Sequence, residues 1–373
     1  MELTIDAKAF TDLLALPARA IPSRPSRPIL GSLLLKAGEG SLAVTATDEV
    51  VIITTNTEVS VDRHGEICLP AKLLNDMVSR MAGVVHLNWD ADISQATLTS
   101  LGSTYTISGH PGDDYPLVER AEGTTLTLDA TTMAAALNFT LVTASTDEHK
   151  QILCGVHLQP AEDGLEAAST DGHRLSVFPA FLGQEGIEAF TPVTLPRKGL
   201  KGLGDHLARS KGTVTVTIHE QIVTFDMGDL VFTTRLLEGQ YPEYRRLIPT
   251  NFAVETLINR QAWIAALQRI GIVARNGIIR HSWTDEGLLL EADSEGSSGR
   301  ELVACEVTKG QDVPGTAKEP MAFNGEYLLD GLNALASEQV ILSRNTPTSP
   351  ATLTAPGSLQ VYLVMPVQIR DKA

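Results

Sequence analysis

The hydrophobic pattern of the chain repeats three times at the scale of a whole domain. In each repeat a large apolar residue is followed four residues later by a leucine, which places both side chains on one helix face. An Asp or Asn four residues earlier predicts the helix start, because its side chain accepts hydrogen bonds from free N–H groups of the first turn. The three sets are Asp6, Phe10 and Leu14; Asp129, Met133 and Leu137; and Asn259, Trp263 and Leu267.

Short apolar runs separated by turn residues predict a hairpin after each of these helices. Acidic residues and glycines occupy the turns, as in Gly38-Glu39-Gly40 and Thr284-Asp285-Glu286. The predicted strand pairs are residues 29–35 with 42–47, 152–159 with 165–169, and 277–283 with 287–292.

Each repeat has a second half of the same kind. A helix is predicted after Leu69-Pro70, Leu195-Pro196 and Phe323-Asn324, where proline suits the first helical turn because it has no N–H to leave unpaired. Further strand pairs follow each helix. We therefore predict an α+β protein of three similar domains, each built from two strand–helix–strand units with antiparallel sheets. The domains are residues 1–124, 125–250 and 251–373.

Residues 239–250 join the second and third repeats and hold two prolines, two tyrosines and two adjacent arginines. Proline cannot donate to a strand ladder, so this stretch is expected to be ordered but non-repetitive chain. Its Tyr241-Pro242 pair has an earlier counterpart in Tyr115-Pro116, at the first joint. A plain interdomain linker with solvated charges is the alternative. The repetition favours a joint that carries a functional surface.

Composition restricts the function and the compartment. The net charge of −16 argues against a protein that coats nucleic acid generally, but a local basic face can still contact DNA. No apolar run is long enough to span a bilayer, and the acidic N-terminus is unlike a signal peptide. Cys68, Cys154 and Cys305 lack metal-ligand spacing. They are expected to be reduced thiols, which favours a cytoplasmic protein without membrane partners.

Lysine and arginine concentrate in the predicted helices and the turns after them. Repeats joined head to tail leave a sheet edge open at each end of the chain. Closure into a ring removes these edges, and with three repeats per chain we expect a homodimeric ring of six repeat units. A basic wall inside an acidic shell suits duplex DNA, since phosphate contacts carry no sequence information. The alternative is that helix surfaces are charged in any protein. The basic residues, more than half of the chain's 29, are Lys8, Arg19, Arg24, Arg27, Lys72, Arg80, Lys150, Arg197, Lys198, Lys201, Arg209, Lys211, Arg260, Arg269 and Arg275.

Four motifs resemble the bacterial DNA polymerase III beta subunit family, the sliding clamps. They are Ser-Thr-Asp-Gly-His-Arg-Leu at 169–175, Leu-Pro-Arg-Lys-Gly at 195–199, Tyr-Pro-Glu-Tyr-Arg-Arg-Leu-Ile-Pro at 241–249 and Tyr-Leu-Val-Met-Pro-Val at 362–367. The resemblance covers the whole chain in order. It implies a head-to-tail homodimeric ring that encircles double-stranded DNA without sequence preference and tethers the replicative polymerase. It also implies no catalysis, no cofactor and no metal.

The resemblance further implies a pocket between the second and third domains. This pocket would take short linear peptides from the replicative DNA polymerase, the clamp loader and repair proteins. An apolar groove with a few polar anchors suits such a ligand. The residues at the matching positions are Leu153, Thr170, Gly172, His173, Arg174, Leu175, Pro242, Arg246, Leu247, Asn324, Tyr327, Val364, Met365, Pro366 and Val367.

The family's other two surfaces also map onto this sequence. The resemblance implies DNA contacts at Arg24, Arg197 and Lys198, and a subunit contact that joins Tyr105 and Ile107 to Ile272 and Val273. Two departures from the pattern stand out. Gln151 and Ile152 occupy positions where relatives often carry aromatic residues, and the chain continues past Val367 to residue 373.

Two other classes of protein are alternatives. Asp147-Glu148-His149 and Asp171-Gly172-His173 place carboxylates beside histidines, as a hydrolase or metal site does. The sequence has no Gly-rich phosphate loop, nucleophile elbow or histidine pair at helical spacing to accompany them. A scaffold that forms a ring without DNA is the other alternative. The basic helices distinguish a DNA clamp from such a scaffold.

Overall fold

The structure, a computed structural model, describes residues 1–116, 123–162, 164–182, 190–310 and 319–368, with only the backbone described for 180–182. The continuation past Val367 therefore lies, from residue 369 onward, outside the described residues. The α-helices are α1 (Ala7–Ala15), α2 (Ala71–Val78), α3 (Ala130–Leu141), α4 (Leu200–Leu207), α5 (Arg260–Ile270) and α6 (Gly325–Ala334). No helix in these ranges is both long and apolar enough to cross a bilayer.

The three predicted caps at the first helices are confirmed. Asp6 accepts hydrogen bonds from the N–H groups of Lys8 and Ala9, and Asn259 accepts from Ala262. Asp129 accepts from the N–H of Thr132 at 2.8 Å. These carboxylate and amide oxygens satisfy N–H groups that have no partner inside the helix.

The chain forms two compact units, and the first contains most of residues 1–134 and 198–237. All its strand pairings in the described residues are antiparallel. Its five-stranded sheet runs, in spatial order, β5 (Ser60–Arg63), β1 (Glu2–Asp6), β7 (Val84–Asp90), β8 (Gln95–Ser100) and β9 (Ser103–Ser108). Its nine-stranded sheet runs β10 (His110–Pro111), β6 (Gly65–Pro70), β2 (Ser32–Gly38), β3 (Ser41–Thr47), β4 (Val51–Glu58), β18 (Leu230–Arg235), β17 (Ile222–Asp226), β16 (Thr213–His219) and β11 (Thr124–Asp129).

The second unit contains most of residues 135–183, 191–197 and 238–373. Its described strand pairings are likewise antiparallel. Its nine-stranded sheet runs β15 (Val193–Pro196), β12 (Gly155–Ala161), β13 (Gly164–Thr170), β14 (Arg174–Leu182), β27 (Val361–Val364), β26 (Ala351–Thr354), β25 (Gln339–Arg344), β19 (Val254–Asn259) and β23 (Cys305–Lys309). Its four-stranded sheet runs β22 (Ser297–Val303), β21 (Gly287–Ser294), β20 (Ile278–Thr284) and β24 (Met321–Asn324).

Each nine-stranded sheet combines strands from two of the predicted repeats. In the first unit β4 pairs with β18, and in the second β14 pairs with β27. Buried and exposed residues alternate where one sheet face is covered, as in β7, where Val85, Leu87 and Trp89 point inward. The prediction of an α+β fold with antiparallel sheets is confirmed, whereas the boundaries at residues 124 and 250 stay a prediction.

Three local predictions are wrong. Ile29 does not begin a strand, because Pro28–Gly31 forms a 3₁₀ helix and β2 starts at Ser32. Pro196 does not lie in a first helical turn: it ends β15, where it pairs with Gly155, and α4 begins only at Leu200. Gly199 lies between them with a φ of +78°, a backbone conformation that favours glycine. Ile152 does not begin a strand, because residues Glu148–Leu153 form a 3₁₀ helix and β12 starts at Gly155. Strand pairing with a distant segment decided the structure at Pro196.

Candidate peptide, nucleic-acid and subunit sites

A tight turn between β13 and β14 forms the centre of the candidate peptide site. Asp171 Oδ1 accepts hydrogen bonds from the N–H groups of His173 (2.9 Å) and Arg174 (3.1 Å). The Thr170 hydroxyl accepts from the Gly172 N–H at 3.1 Å and donates to the Arg174 carbonyl at 2.6 Å. Gly172 has a φ of +96°, which explains why glycine occupies this position. The turn therefore fixes where the Arg174 side chain begins.

The Arg174 guanidinium is held from three sides. Its Nε donates to Asp171 Oδ2 at 2.9 Å, and its Nη1 donates to Asp330 Oδ2 at 2.5 Å. Its Cζ lies 4.3 Å from the centre of the Tyr327 ring, within cation–π range. Burial on its own lowers the pKa of Arg174, but the Tyr362 hydroxyl and the two carboxylates outweigh it and raise that pKa above its ordinary value. Because its side chain is only 12% exposed, Arg174 forms part of the site wall.

The C-terminal strand lies directly beside this turn. In the β14–β27 pairing, Arg174 stands opposite Val364. The chain then continues the contact, since the Met365 N–H donates to the His173 carbonyl at 2.8 Å. Two residues later the Val367 N–H donates to the Ala322 carbonyl, also at 2.8 Å. The backbone of 364–367 is thus fixed on both sides, and the Met365 side chain is 38% exposed.

The joint 239–250 places two tyrosines inward and a row of residues outward. Tyr241 and Tyr244 are buried, and the Tyr241 hydroxyl accepts a hydrogen bond from the Thr170 N–H at 3.1 Å. A 3₁₀ helix, Tyr244–Leu247, follows. Pro242 and Arg246 are exposed, and Leu247 is 56% exposed. A plain solvated linker does not describe this stretch, because it packs in the core cluster.

The buried carboxylate of Glu166 contacts the joint 239–250 through its inward-facing side. Glu166 on β13 accepts hydrogen bonds from the Tyr244 hydroxyl and from Gln159 Nε2 (3.1 Å). It also forms a two-point contact with Arg245, with Nε–Oε1 at 3.1 Å and Nη2–Oε2 at 3.0 Å. A buried charge is tolerated when it is paired and hydrogen-bonded in this way. Arg245 and Arg246 are both exposed, but Arg245 is paired with Glu166, whereas Arg246 forms no ion pair within the described residues.

Helix α6 supplies the remaining predicted residues. Asn324 caps the helix by accepting from the N–H of Glu326 (2.9 Å) and Tyr327 (3.4 Å). The Tyr327 carbonyl accepts from the Tyr362 hydroxyl at 2.6 Å, and its ring stacks near His173 at a centroid distance of 6.4 Å. These contacts tie α6 to the turn and to β27. The Asn324 cap and the position of Tyr327 are both consistent with a role in shaping the site.

The predicted peptide-site residues divide by exposure. Thr170, Leu175 and Val364 are buried and belong to the floor of the site. The half-buried residues are Leu153, Arg174, Asn324, Tyr327, Pro366 and Val367, and the exposed ones are Gly172, His173, Pro242, Arg246, Leu247 and Met365. Leu153 packs on the cluster that contains Leu175, Tyr241 and Leu363. The set therefore forms one connected region of the second unit with an exposed, largely apolar rim.

Sequence reasoning missed four residues that organise this region, namely Glu166, Asp171, Asp330 and Tyr362. Asp171 had a local signal, because an aspartate followed by a glycine commonly closes a turn by accepting from backbone N–H groups two or three residues on. Asp330 lies three residues after Tyr327 on the same helix, a spacing that places both on one face. Glu166 and Tyr362 contact partners remote in sequence and had no local signal.

The predicted DNA-contacting residues differ in whether they form an ion pair within the protein. Arg24 and Arg197 are exposed, and neither forms an ion pair within the described residues. Lys198 is exposed as well, but its ammonium forms an ion pair with Asp48. Gln151, a departure from the family pattern, is exposed at the 3₁₀ helix before β12.

About half of the predicted basic lining is neutralised locally. Six residues, all exposed, have no ion pair in the part of the chain that the structure describes: Lys8, Arg24, Lys72, Arg197, Arg209 and Lys211. Lys150 and Arg260 donate to backbone carbonyls. Seven pair with acidic side chains: Arg19 and Lys201 with Asp205, Arg27 with Glu49, Arg80 with Asp76, Lys198 with Asp48, Arg269 with Glu301 and Arg275 with Glu295.

The four predicted subunit-contact residues lie on two sheet edges or near them. Tyr105 and Ile107 belong to β9, an edge strand of the first unit. Tyr105 is 43% exposed, but Ile107 is buried and faces the core of its own sheet. Ile272 is 85% exposed in the turn after α5, and Val273 is half-buried against Gly299 of the edge strand β22. Ile107 can therefore contribute its backbone to a subunit contact but not its side chain.

Comparison with known proteins agrees with this geometry. Models of the DNA polymerase III beta subunit match the chain three times: the N-terminal domain over residues 1–119, the central domain over 127–243 and the C-terminal domain over 245–368. A beta sliding clamp from Synechococcus elongatus is 38% identical over 384 residues, 100% of each chain. One from Synechocystis is 36% identical and covers 99% of this chain and 100% of its own.

Solved structures give the same result. A sliding clamp from Bartonella birtlesii, crystallised with griselimycin bound, is 26% identical and superposes with a TM-score of 0.90 over 99% of this chain and 100% of its own. Three repeated α+β domains with antiparallel sheets define the class of this protein as a three-domain DNA clamp. The chain belongs to the DNA polymerase III beta subunit family, the beta sliding clamps.

Proposed function

We propose that this protein is a sliding clamp that encircles double-stranded DNA as a homodimer and tethers the replicative polymerase, which confers processivity. The observation that carries the proposal is the match of all three domains to the family along the whole chain. The clamp acts in the cytoplasm. It performs no chemical step, and its function is to hold DNA and partner proteins together.

The proposed peptide site is the exposed rim around Met365, Leu247, Pro242 and His173. Short peptides from the polymerase, the clamp loader and repair proteins bind here through apolar side chains, with Arg246 available for an acidic or carbonyl group. Burying a few hundred Å² at roughly 25 cal/mol per Å², less the cost of ordering the peptide, corresponds to about micromolar affinity. The rigid wall made by Arg174 and Tyr327 supports this role, because preorganisation reduces that ordering cost.

The test is calorimetry of a polymerase-derived peptide against the wild type and a Met365→Ala variant. Met365→Ala removes an exposed apolar side chain while keeping the backbone hydrogen bond to His173, so the peptide affinity should fall about tenfold without a change in fold. Truncation after Val364 should abolish binding and leave the protein dimeric. Griselimycin, which the Bartonella birtlesii clamp binds, is a second probe. Equal affinity for the wild type and both variants would exclude this site.

The proposed subunit contact joins the β9 edge of one chain to the third domain of the other near Ile272. Two open edge strands favour such a pairing, and the 85% exposed Ile272 offers apolar surface that the contact would bury. Ile272→Asp places a charge in the contact and should shift the protein toward monomer. Light scattering at micromolar concentration measures this. A variant that stays dimeric would contradict the placement of the interface.

The proposed DNA contacts are Arg24, Arg197 and Lys198. Replacing all three with alanine should weaken binding equally for different duplex sequences, because phosphate contacts carry no sequence information. The slope of log affinity against log salt should also become shallower. An unchanged slope would show that other residues make the contacts. Retention on circular DNA, compared with release after linearisation, distinguishes a sliding ring from a scaffold that does not encircle DNA.

A further inference from the structure

The turn at the centre of the peptide site occurs a second time in the chain, at Thr47 and Asp48. The Thr47 hydroxyl accepts from the Glu49 N–H and donates to the Val51 carbonyl, both at 2.9 Å. Asp48 Oδ1 accepts from the N–H groups of Val50 (3.0 Å) and Val51 (2.7 Å). The same bonds, from the same two side chains, form the turn at Thr170 and Asp171.

The surroundings of the two turns match as well. The Thr47 N–H donates to the Tyr115 hydroxyl, as the Thr170 N–H donates to Tyr241. The Arg235 N–H donates to the Val50 carbonyl at 3.0 Å, as the Met365 N–H donates to His173. Each turn therefore stands beside the end of a strand from the following repeat, and its aspartate is held in one orientation by two backbone N–H groups.

The two copies differ in the cation that meets the second carboxylate oxygen. In the peptide site Asp171 Oδ2 accepts from Arg174, a residue of the same turn. The residue that corresponds to Arg174 is Val51, which cannot pair with a carboxylate. Asp48 Oδ2 instead pairs with the ammonium of Lys198, from the loop before α4. The Asp48 side chain is 4% exposed, whereas Lys198 is 55% exposed.

This asymmetry makes the pair different from an ordinary surface ion pair. Surface pairs are weak partly because two mobile side chains must be ordered together. Here the carboxylate is already fixed and nearly buried, so only the lysine has to be ordered. The lysine can leave, because its ammonium is exposed and its stem is flexible. The Asp48 carboxylate therefore stays in place as an acceptor, while the Lys198 ammonium can dissociate from it and return.

We infer that Asp48 competes with DNA phosphate for the Lys198 ammonium and so weakens the contact between this lysine and duplex DNA. The inference rests on the proposed DNA-binding role of Lys198. A clamp that slides must exchange its phosphate contacts. A fixed carboxylate reduces the lifetime of each lysine–phosphate contact, because it offers the lysine another partner. The same turn therefore occurs twice with different effects. At Asp171 it holds Arg174 of the peptide site, and at Asp48 it competes for Lys198, a proposed DNA contact.

The test uses the full-length protein, a short fluorescent duplex and anisotropy at several salt concentrations. Asp48→Asn keeps an oxygen for the two backbone N–H groups and removes the charge. It should raise DNA affinity about two- to fivefold, toward the upper end of the range for exposed ion pairs, because only the lysine has to be ordered. It should also steepen the salt slope by up to about 0.9, the value of one added phosphate contact. Thermal unfolding confirms that the variant is folded.

Two further variants separate competition from a general charge effect. Asp12→Asn removes one negative charge from an exposed position of α1 that forms no ion pair within the described residues, and it should leave affinity nearly unchanged. Lys198→Ala should reduce affinity only slightly in the wild type but should cancel the whole gain of Asp48→Asn. A gain that survives Lys198→Ala, or an equal gain from Asp12→Asn, would overturn the inference.

Arg197→Ala distinguishes a failure of this inference from a failure of the proposed DNA-binding surface. If Arg197→Ala weakens DNA binding and Asp48→Asn does not strengthen it, the DNA surface stands and the competition by Asp48 is refuted. If Arg24→Ala, Arg197→Ala and Lys198→Ala all leave DNA binding unchanged, the proposed surface is wrong and the inference falls with it.

Discussion

The Tyr241 hydroxyl accepts a hydrogen bond from the Thr170 backbone N–H at 3.1 Å. This bond joins the inward face of the joint 239–250 to the turn that positions Arg174. Thr170 is buried, so its N–H relies on this hydroxyl rather than on water for a hydrogen bond. This bond acts together with the contacts of Tyr244 and Arg245 to Glu166, and the three contacts fix the joint that carries the exposed residues Pro242 and Leu247.

Tyr241→Phe should lower both stability and peptide affinity. The variant leaves the Thr170 N–H buried without a partner, which costs about 1–3 kcal/mol of unfolding free energy. We expect the peptide affinity to fall severalfold, because the joint loses its hydrogen bond to the turn while its contacts to Glu166 remain. Denaturant unfolding and calorimetry measure the two effects.

Tyr115→Phe is the matched control, because Tyr115 accepts from Thr47 in the other copy of the turn. It should produce a similar loss of stability without a change in peptide affinity. If both variants changed peptide affinity to the same extent, the role assigned to Tyr241 in the site would be wrong.

Arg174→Lys should lower stability and weaken peptide binding, even though the substitution keeps the positive charge. A lysine cannot contact Asp171 and Asp330 at once in the fork geometry of arginine, nor stack on Tyr327 in the same way. One carboxylate then loses its partner, so we expect a destabilisation of about 1–3 kcal/mol and weaker peptide binding. Circular dichroism and calorimetry provide the measurements.

Arg246→Lys provides the comparison for this prediction. Arg246 is exposed and forms no ion pair within the described ranges, so its replacement should leave stability unchanged within about 0.5 kcal/mol. Comparable stability losses from the two substitutions would contradict the bracing role of Arg174.

The sequence was sufficient to predict features that depend on neighbours along the chain. Asp6, Asp129 and Asn259 cap helices because their side chains reach N–H groups two or three residues away. The triplication and the antiparallel hairpins follow from the same local patterns. The turn at Asp171 was missed, although its bonds also join residues no more than four positions apart.

Contacts between distant segments could not be predicted from these patterns. Pro196 looked like a helix start, but its pairing with Gly155 extends β15 and delays α4 to Leu200. Arg174 and Asp330 are 156 residues apart, and no spacing rule joins them. The pairing of Lys198 with Asp48 has the same origin. Residue type identified Lys198 as a cation, but only the fold showed which carboxylate it meets.

Two buried histidines should make the second unit sensitive to acid. Burial lowers the pKa of His281 to about 4, and burial likewise lowers the pKa of His157 to about 4. His281 lies between the rings of Trp263 and Phe323, and its Nε2 has no hydrogen-bond partner within the described residues. A proton on Nε2 would thus be buried in apolar surroundings.

The sign of the effect follows from the depressed pKa. The unfolded chain binds a proton at an ordinary histidine pKa of about 6.5, whereas the folded chain resists protonation until about pH 4. The contribution of His281 to stability is therefore complete above about pH 6.5 and is lost progressively as the pH falls toward 4. The loss is on the order of 3 kcal/mol, from roughly 2.5 pKa units at about 1.4 kcal/mol each.

His281→Phe should flatten this dependence. The variant replaces the imidazole with a ring that does not titrate, so it should lose less unfolding free energy between pH 7 and pH 4 than the wild type does. Denaturant unfolding at several pH values measures the difference. Because the comparison is between slopes, a change in stability at neutral pH caused by the larger ring does not affect it. Parallel profiles for His281→Phe and the wild type would show that the acid sensitivity comes from other groups.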